Sequence, residues 1–281
     1  MAPHVFVPID DVARREDLPA QPAEGRVEVE VLGTKLKAKP GDTILVDPGT
    51  YRFTPKNAQK WQYGLRIKTN NLRLIGKGKP GEVRLVYAGP DNYEEVVGAG
   101  VYAAPAGCDV DDGERGDTSA EELAKAAACK ARTIKDFYIR GFTVEGFPRN
   151  GIQTRWVEGF EFIQNESKNN LNNGIYPTLS ANGLVQNNVS YGSLDTAMWV
   201  AGSENVRVIG NDVSASTIGF EITVSNDVWV TQNKIYGNTL GVDKVPGVVT
   251  VLGPTAACTC SSCSTARRSP SRTSPCSCWR A

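Results

Sequence analysis

Histidine is almost missing from this 281-residue chain. The single copy, His4, sits in an opening stretch rich in Pro, Asp, Glu and Arg. Imidazole is the side chain that changes charge near neutral pH and the commonest metal ligand. Its lack takes histidine acid–base chemistry and imidazole metal centres away from the rest of the chain. Long apolar runs are also lacking: nothing approaches the ~18 residues that a membrane-crossing helix needs. Residues 1–25 contain no apolar segment of the kind a secretory leader carries. They are expected to be a mobile leader, on a protein that is either cytoplasmic or written here without its export signal.

Net charge is absent too, with 31 basic and 31 acidic residues. The balance conceals an asymmetry, because residues 254–281 hold four arginines and no carboxylate. The remainder has 27 basic against 31 acidic residues, so it offers no broad basic surface for nucleic acid. Cysteine is sparse until the end. The body has Cys108 and Cys129, and the tail has Cys258, Cys260, Cys263, Cys276 and Cys278. The tail's Cys-Thr-Cys-Ser-Ser-Cys has thiolate-cluster character. With almost no aliphatic residue around it, the segment 254–281 reads rather as a disordered or frame-shifted end.

What the chain has in abundance is repetition. Gly/Ala–hydrophobic pairs recur at Gly151-Ile152, Gly174-Ile175, Ala197-Met198, Gly219-Phe220 and Gly241-Val242, at steps of 23, 23, 22 and 22. Asp136, Gly159, Asn182, Asn205 and Asp227 keep the same step, and so do Asn165, Asn188, Asn211 and Asn233. Three anchors per period mean one supersecondary unit stacked on itself. No helix fits between anchors, whereas three short strands do. These features predict an all-β chain: a single-stranded parallel β-helix of about eight coils spanning residues 26–253. The asparagines should form amide ladders in the turns, and the glycines should fit tight corners.

Before the regular part, Val27–Leu32, Thr43–Val46, Leu65–Ile67, Leu72–Ile75 and Val83–Tyr87 read as strands of about three less regular coils, separated by Pro-Gly turns. Residues 105–132 interrupt the repeat. Ser119-Ala-Glu-Glu122 has the capping-box spacing that opens a helix, expected to run to about Ala131. Cys108 and Cys129 bracket this insertion, either as a disulfide in an oxidising compartment or as two separate thiols. The acidic run Asp109, Asp111, Asp112, Glu114 and Asp117 lacks the ordered spacing of a calcium loop and is expected to be solvated.

The stretches from Gly174 to Val185, from Gly192 to Val208 and from Ile218 to Ser225, with the opening Pro40-Gly-Asp-Thr-Ile and Asp47-Pro-Gly-Thr-Tyr, resemble exported bacterial right-handed parallel β-helix repeat proteins of the pectate-lyase-like superfamily. The resemblance covers about residues 26–252. It implies a right-handed solenoid and an extracellular or periplasmic setting. Many such relatives have no known function; more distant ones include polysaccharide lyases, polygalacturonases, mannuronan epimerases and copper-loading periplasmic proteins.

Strand alternation nominates a site. If Ile152, Ile175, Met198, Phe220 and Val242 point inward, Gln153, Tyr176, Trp199, Glu221 and Asp243 form an outward ladder, and Arg155 faces the same way two residues on. At about 4.8 Å per coil, five coils span roughly 19 Å, room for several units of an extended glycan. Tyr176 and Trp199 would stack on sugar rings. Arg155 would neutralise a uronate while Glu221 or Tyr176 exchanged its α-proton, with Asp195 in the preceding turn reaching the same face. Paired carboxylates would equally serve hydrolysis. Glu221, Asp243 and Asp195 would offer oxygen ligands to calcium. Two functions are therefore expected: a lyase or C5-epimerase acting on an acidic polysaccharide, or a non-catalytic β-helix scaffold that binds glycan or protein. Access to the ladder separates them.

Overall fold

A computed structural model describes residues 27–31, 34–55, 62–90, 98–108 and 120–244, with side chains described from Ala38 to Gly241 apart from Glu122. The leader, the acidic run and the tail lie outside the described residues. Within them the chain is a right-handed parallel β-helix with three sheets running along the coil axis. In each regular coil one strand joins each sheet, as in Asn150–Arg155, Val157–Ile163 and Glu166–Lys168. The following coil repeats this with Ile175–Thr178, Ala181–Gln186 and Val189–Tyr191. We call these the first, second and third sheets.

The periodic anchors work as follows. Ile152, Ile175, Met198 and Phe220 stack in register in the first sheet, each at most 2% exposed. In the second, Phe137 stacks on Phe160 and Val206 on Val228, with Gly183 between the two pairs. Stacking like on like lets each coil bury its apolar residues against the coils on either side, which no single coil could do alone. The asparagine ladder forms as expected. The Asn165 backbone N–H donates to Asn188 Oδ1 at 2.9 Å, Asn188 to Asn211 Oδ1 at 2.8 Å, and Asn211 to Asn233 Oδ1 at 2.8 Å. Their Nδ2 groups donate to buried carbonyls such as Phe162 and Val185. Each buried turn is satisfied by the next.

The glycines of the Gly/Ala–hydrophobic pairs have a different cause from the one expected. Gly151, Gly174 and Gly219 do not have left-handed backbone. A Cβ on Gly174 would lie 2.1 Å from Ser190 Oγ and 2.4 Å from the Ala197 carbonyl oxygen. The small residue is required by close approach between coils and not by a corner. Corners are instead carried by Asn, Asp and other residues in left-handed backbone, among them Asn182 and Asn205.

At the N-terminal edge the chain departs from the coil pattern. Val27–Val31 and Thr34–Ala38 make an antiparallel hairpin that pairs with Leu65–Ile67. The register sets Glu28 opposite Lys37 and Glu30 opposite Lys35. The hairpin covers the edge of the first sheet with a charged strand. The insertion contains the helix Ala120–Lys130. Cys108 and Cys129 are joined, with Sγ atoms 2.11 Å apart, so the disulfide alternative is the one realised.

Candidate functional site

The outward ladder on the first sheet exists and is longer than the sequence suggested. Register runs Arg66, Tyr102, Gln153, Tyr176, then Trp199, Glu221 and Asp243. Tyr102 escaped notice because the 105–132 insertion breaks the 23-residue step before Gln153, and Arg66 because the earlier coils are irregular. The one available signal was the alternation inside Leu65–Ile67 and Ala99–Ala103.

Much of this face is closed. Gln153 and Arg155 have no exposure, Tyr176 has 2% and Tyr102 none, while Trp199 and Glu221 are half-buried. Part of the cover is the loop after Ala103. Arg66 donates to the Ala104 and Pro105 carbonyls at 2.6 and 2.9 Å, and its guanidinium lies 4.6 Å from the Tyr102 ring centre. The Tyr102 hydroxyl donates to the Cys108 carbonyl at 3.0 Å. The disulfide therefore anchors a loop that seals the start of the ladder.

The candidate side chains are also engaged with one another. Asn150 Nδ2 donates to Gln153 Oε1 at 2.9 Å. The Tyr176 and Trp199 rings stack at 4.4 Å, so each occupies a face that a sugar ring would need. Trp199 Nε1 donates to Thr223 Oγ1, and Thr196 Oγ1 donates to Glu221 Oε2, both at 2.8 Å. Asp195 is half-buried ahead of the strand Thr196–Ala201, and burial pushes its carboxyl above the usual carboxylate range. Glu221 pairs in register with Asp243, whose side chain lies outside the described residues.

The second sheet presents the open face. One outward row runs Arg73, Tyr138, Glu161, Leu184, Arg207, Trp229 on successive coils. A second, two residues along, contains Ile75, Arg140, Ile163, Gln186 and Ile209. Glu161, Arg140, Arg207 and Trp229 are exposed, and the Arg73 guanidinium lies 3.8 Å from the Tyr138 ring centre. This face was not foreseen from the sequence, although the same 22- and 23-residue step reaches it. Tyr138, Glu161, Leu184, Arg207 and Trp229 each follow the Asp136-to-Asp227 anchors by two residues.

The third sheet holds a charged network. Arg84 donates to Glu145 at 2.6 Å, Lys168 lies 3.6 Å from Glu145 and 3.8 Å from Glu166, and the Tyr191 hydroxyl donates to Glu166 at 3.0 Å. Burial, the Glu166 charge and that hydrogen bond push the Tyr191 phenol up to about 12.

A family model described as periplasmic copper-binding protein (NosD) matches residues 96–247. The chain belongs to the NosD family. Among solved structures, an Azotobacter vinelandii mannuronan C-5 epimerase AlgE6 A-module is 15% identical with a TM-score of 0.43, covering 72% of this chain and 64% of that one. Geobacillus virus E2 ORF18 is 14% identical at TM-score 0.40, covering 73% and 45%. The tailspike protein 2 enzymatically active domain of bacteriophage CBA120 is 10% identical at 0.36, covering 76% and 40%. This NosD-family chain thus spans less than two thirds of each of these, and likenesses so weak reach no site. A search of curated proteins found no match.

The family description raises copper. Copper sites draw on thiolate, thioether and imidazole donors. The described residues include no histidine, their two cysteines are bonded to each other, and Met198 is wholly buried in the core. They contain no group of three or more His, Cys, Asp or Glu able to hold a metal. The described part of this family member does not fit a copper ion. His4 and the tail cysteines lie outside it.

Proposed function

We propose that this chain is a non-catalytic, glycan-binding β-helix that holds an extended acidic polysaccharide along the outer face of its second sheet. The observation that carries this reading is the contrast between two faces. On the first, the cation a lyase or epimerase would need, Arg155, has no exposure, and the aromatic pair is closed on itself. On the second, the two central rows offer three guanidiniums, Arg73, Arg140 and Arg207, against one carboxylate, Glu161, with Tyr138 and Trp229 as aromatic surfaces. Rungs repeat at about 4.8 Å, so a polymer lying along the axis meets a side chain from every coil. Guanidiniums bind carboxylates through paired hydrogen bonds, and exposed aromatics add apolar contact with the sugar ring. Membership of a periplasmic family is in keeping with a polysaccharide partner outside the cytoplasm.

Titration calorimetry of the full chain with pectate and alginate tests the reading, with uncharged dextran as control. Binding to the acidic polymers should weaken roughly tenfold or more when Arg140→Gln and Arg207→Gln are combined. It should also weaken in Trp229→Ala and be little changed in Trp199→Ala. Unsaturated product appearing in these mixtures, and disappearing in Glu221→Gln, would return the first sheet to the leading position as a lyase site.

A further inference from the structure

At the leading edge of the second sheet a column of left-handed residues climbs the helix: Asn71, Asp136, Gly159, Asn182, Asn205 and Asp227, with φ of 53, 54, 78, 56, 52 and 51°. Asn and Asp tolerate this conformation better than other side-chain-bearing residues, so the backbone alone does not call for glycine at the third rung. One pair of rungs is bonded, Asn205 Nδ2 donating to Asn182 Oδ1 at 2.7 Å. At Gly159 the column is interrupted. An open cleft of about 350 Å³ lies there, lined by Asn71, Lys135, Asp136, Glu158, Gly159 and Asn182 among others. That volume is in the range of small-ligand sites, about 300–1,000 Å³.

The lining is polar and only partly used. Lys135 and Glu158 form an ion pair across adjacent coils. Asn182 Nδ2 reaches Glu158 Oε1 only at 3.5 Å. Among the described residues, the Asp136 carboxylate and the Asn71 side-chain amide have no hydrogen-bond or ion-pair partner. The cleft thus brings acceptors (Asp136, Glu158) and donors (Lys135, Asn71, Asn182) to one opening, with no Cβ at its centre. Tyr138 follows Asp136 by two residues and carries Arg73 over its ring, so the cleft adjoins the row proposed to hold the polymer.

From this geometry we infer that the Gly159 notch is a subsite for one sugar unit, recognised through its hydroxyls. Adjacent hydroxyls donate to Asp136 and Glu158 and accept from Asn71, Asn182 and Lys135. The ring lies in the open cleft beside Gly159. The inference rests on the glycan-binding reading above, and it assigns that face a specific position where a unit is gripped and not merely laid down.

The test is Gly159→Asn in the full chain. The substitution gives the third rung the side chain its upper neighbour already has. The new Cβ would lie 2.3 Å from Asp136 Oδ1, the free end of a flexible side chain that can swing aside. The variant should fold with a wild-type melting profile and bind short pectate or alginate oligosaccharides at least about tenfold more weakly. Asp136→Asn, which keeps a residue suited to left-handed backbone but removes the carboxylate, should do the same and guards against a folding defect in the first variant. Wild-type affinity in both variants overturns the notch while leaving the polysaccharide face standing. Absence of glycan binding by the wild-type chain overturns both.

Discussion

The ring of Tyr176 lies on that of Trp199, centres 4.4 Å apart and planes 10° from parallel. Two aromatic residues on neighbouring coils, each apt for stacking on sugar, have taken one another as partners. The indole N–H is bound by Thr223 as well. Such a pair strengthens the union of two coils before it can serve any ligand. Trp199→Ala should therefore lower stability by about 2–4 kcal/mol, since the residue is half-buried and the change strips both packing and a hydrogen bond. Urea unfolding with an unchanged m-value would show it, and glycan binding on the second sheet should survive.

The asparagine ladder makes a sharper demand. Asn188 Oδ1 accepts from the Asn165 backbone, and its Nδ2 donates to the Phe162 carbonyl, both buried. Asn188→Ala leaves a donor and an acceptor without partners and should cost about 2–5 kcal/mol. Asn188→Asp should not rescue it, because the carboxylate cannot donate to Phe162. Chemical denaturation of the three proteins side by side distinguishes a lost amide from lost volume.

Reducing the Cys108–Cys129 bond frees the loop that receives Arg66 and Tyr102. The bond closes a loop with a sequence separation of 21, which predicts a loss of about 3 kcal/mol in the reduced or Cys108→Ser/Cys129→Ser protein. Hydrogen exchange should also rise around Tyr102 and Ala104, where the first-sheet ladder begins, more than in the coils after Tyr176.

The third-sheet network contributes to stability at alkaline pH. Tyr191 keeps its proton in the folded protein up to about 12, above the ordinary phenol value of 10.0. The raised value means the unfolded chain loses this proton first. The stabilisation is whole below pH 10 and disappears as pH rises through about 12. Tyr191→Phe should flatten this part of the stability profile, measured by denaturant midpoints across alkaline pH. On the acid side Glu145 behaves oppositely. Its burial would raise it, but the hydrogen bond from Arg84 and the Lys168 charge outweigh that and hold it below the ordinary glutamate range. Its contribution is present at neutral pH and is lost as pH falls through the lowered value, so Glu145→Gln should be less sensitive to acid than wild type.

Repetition made the architecture legible from residues alone. Stacked coils force inward residues at fixed steps, so Ile152, Ile175, Met198 and Phe220 announced the first sheet, and the amide column from Asn165 announced a turn. The site was less legible, because alternation says which way a side chain points and not what lies over it. Gln153, Arg155 and Tyr176 were placed on the correct face, yet they are out of solvent's reach. Long-range cover, like the Ala104–Cys108 loop held by a disulfide to a distant helix, leaves no periodic mark. The reason for the glycines in the Gly/Ala–hydrophobic pairs was hidden for a similar cause. The clash that forbids a Cβ at Gly174 comes from Ser190 and Ala197, residues of later segments.

The direction of the asparagine hydrogen bonds has a consequence for how the protein is born. Each backbone N–H in the column is met by the side chain of the coil that follows it: Asn165 by Asn188, Asn188 by Asn211, Asn211 by Asn233. A coil leaving the ribosome therefore waits with an open valence until another 22 or 23 residues have emerged. Maturation along this solenoid is a relay, in which every finished turn is completed by its successor.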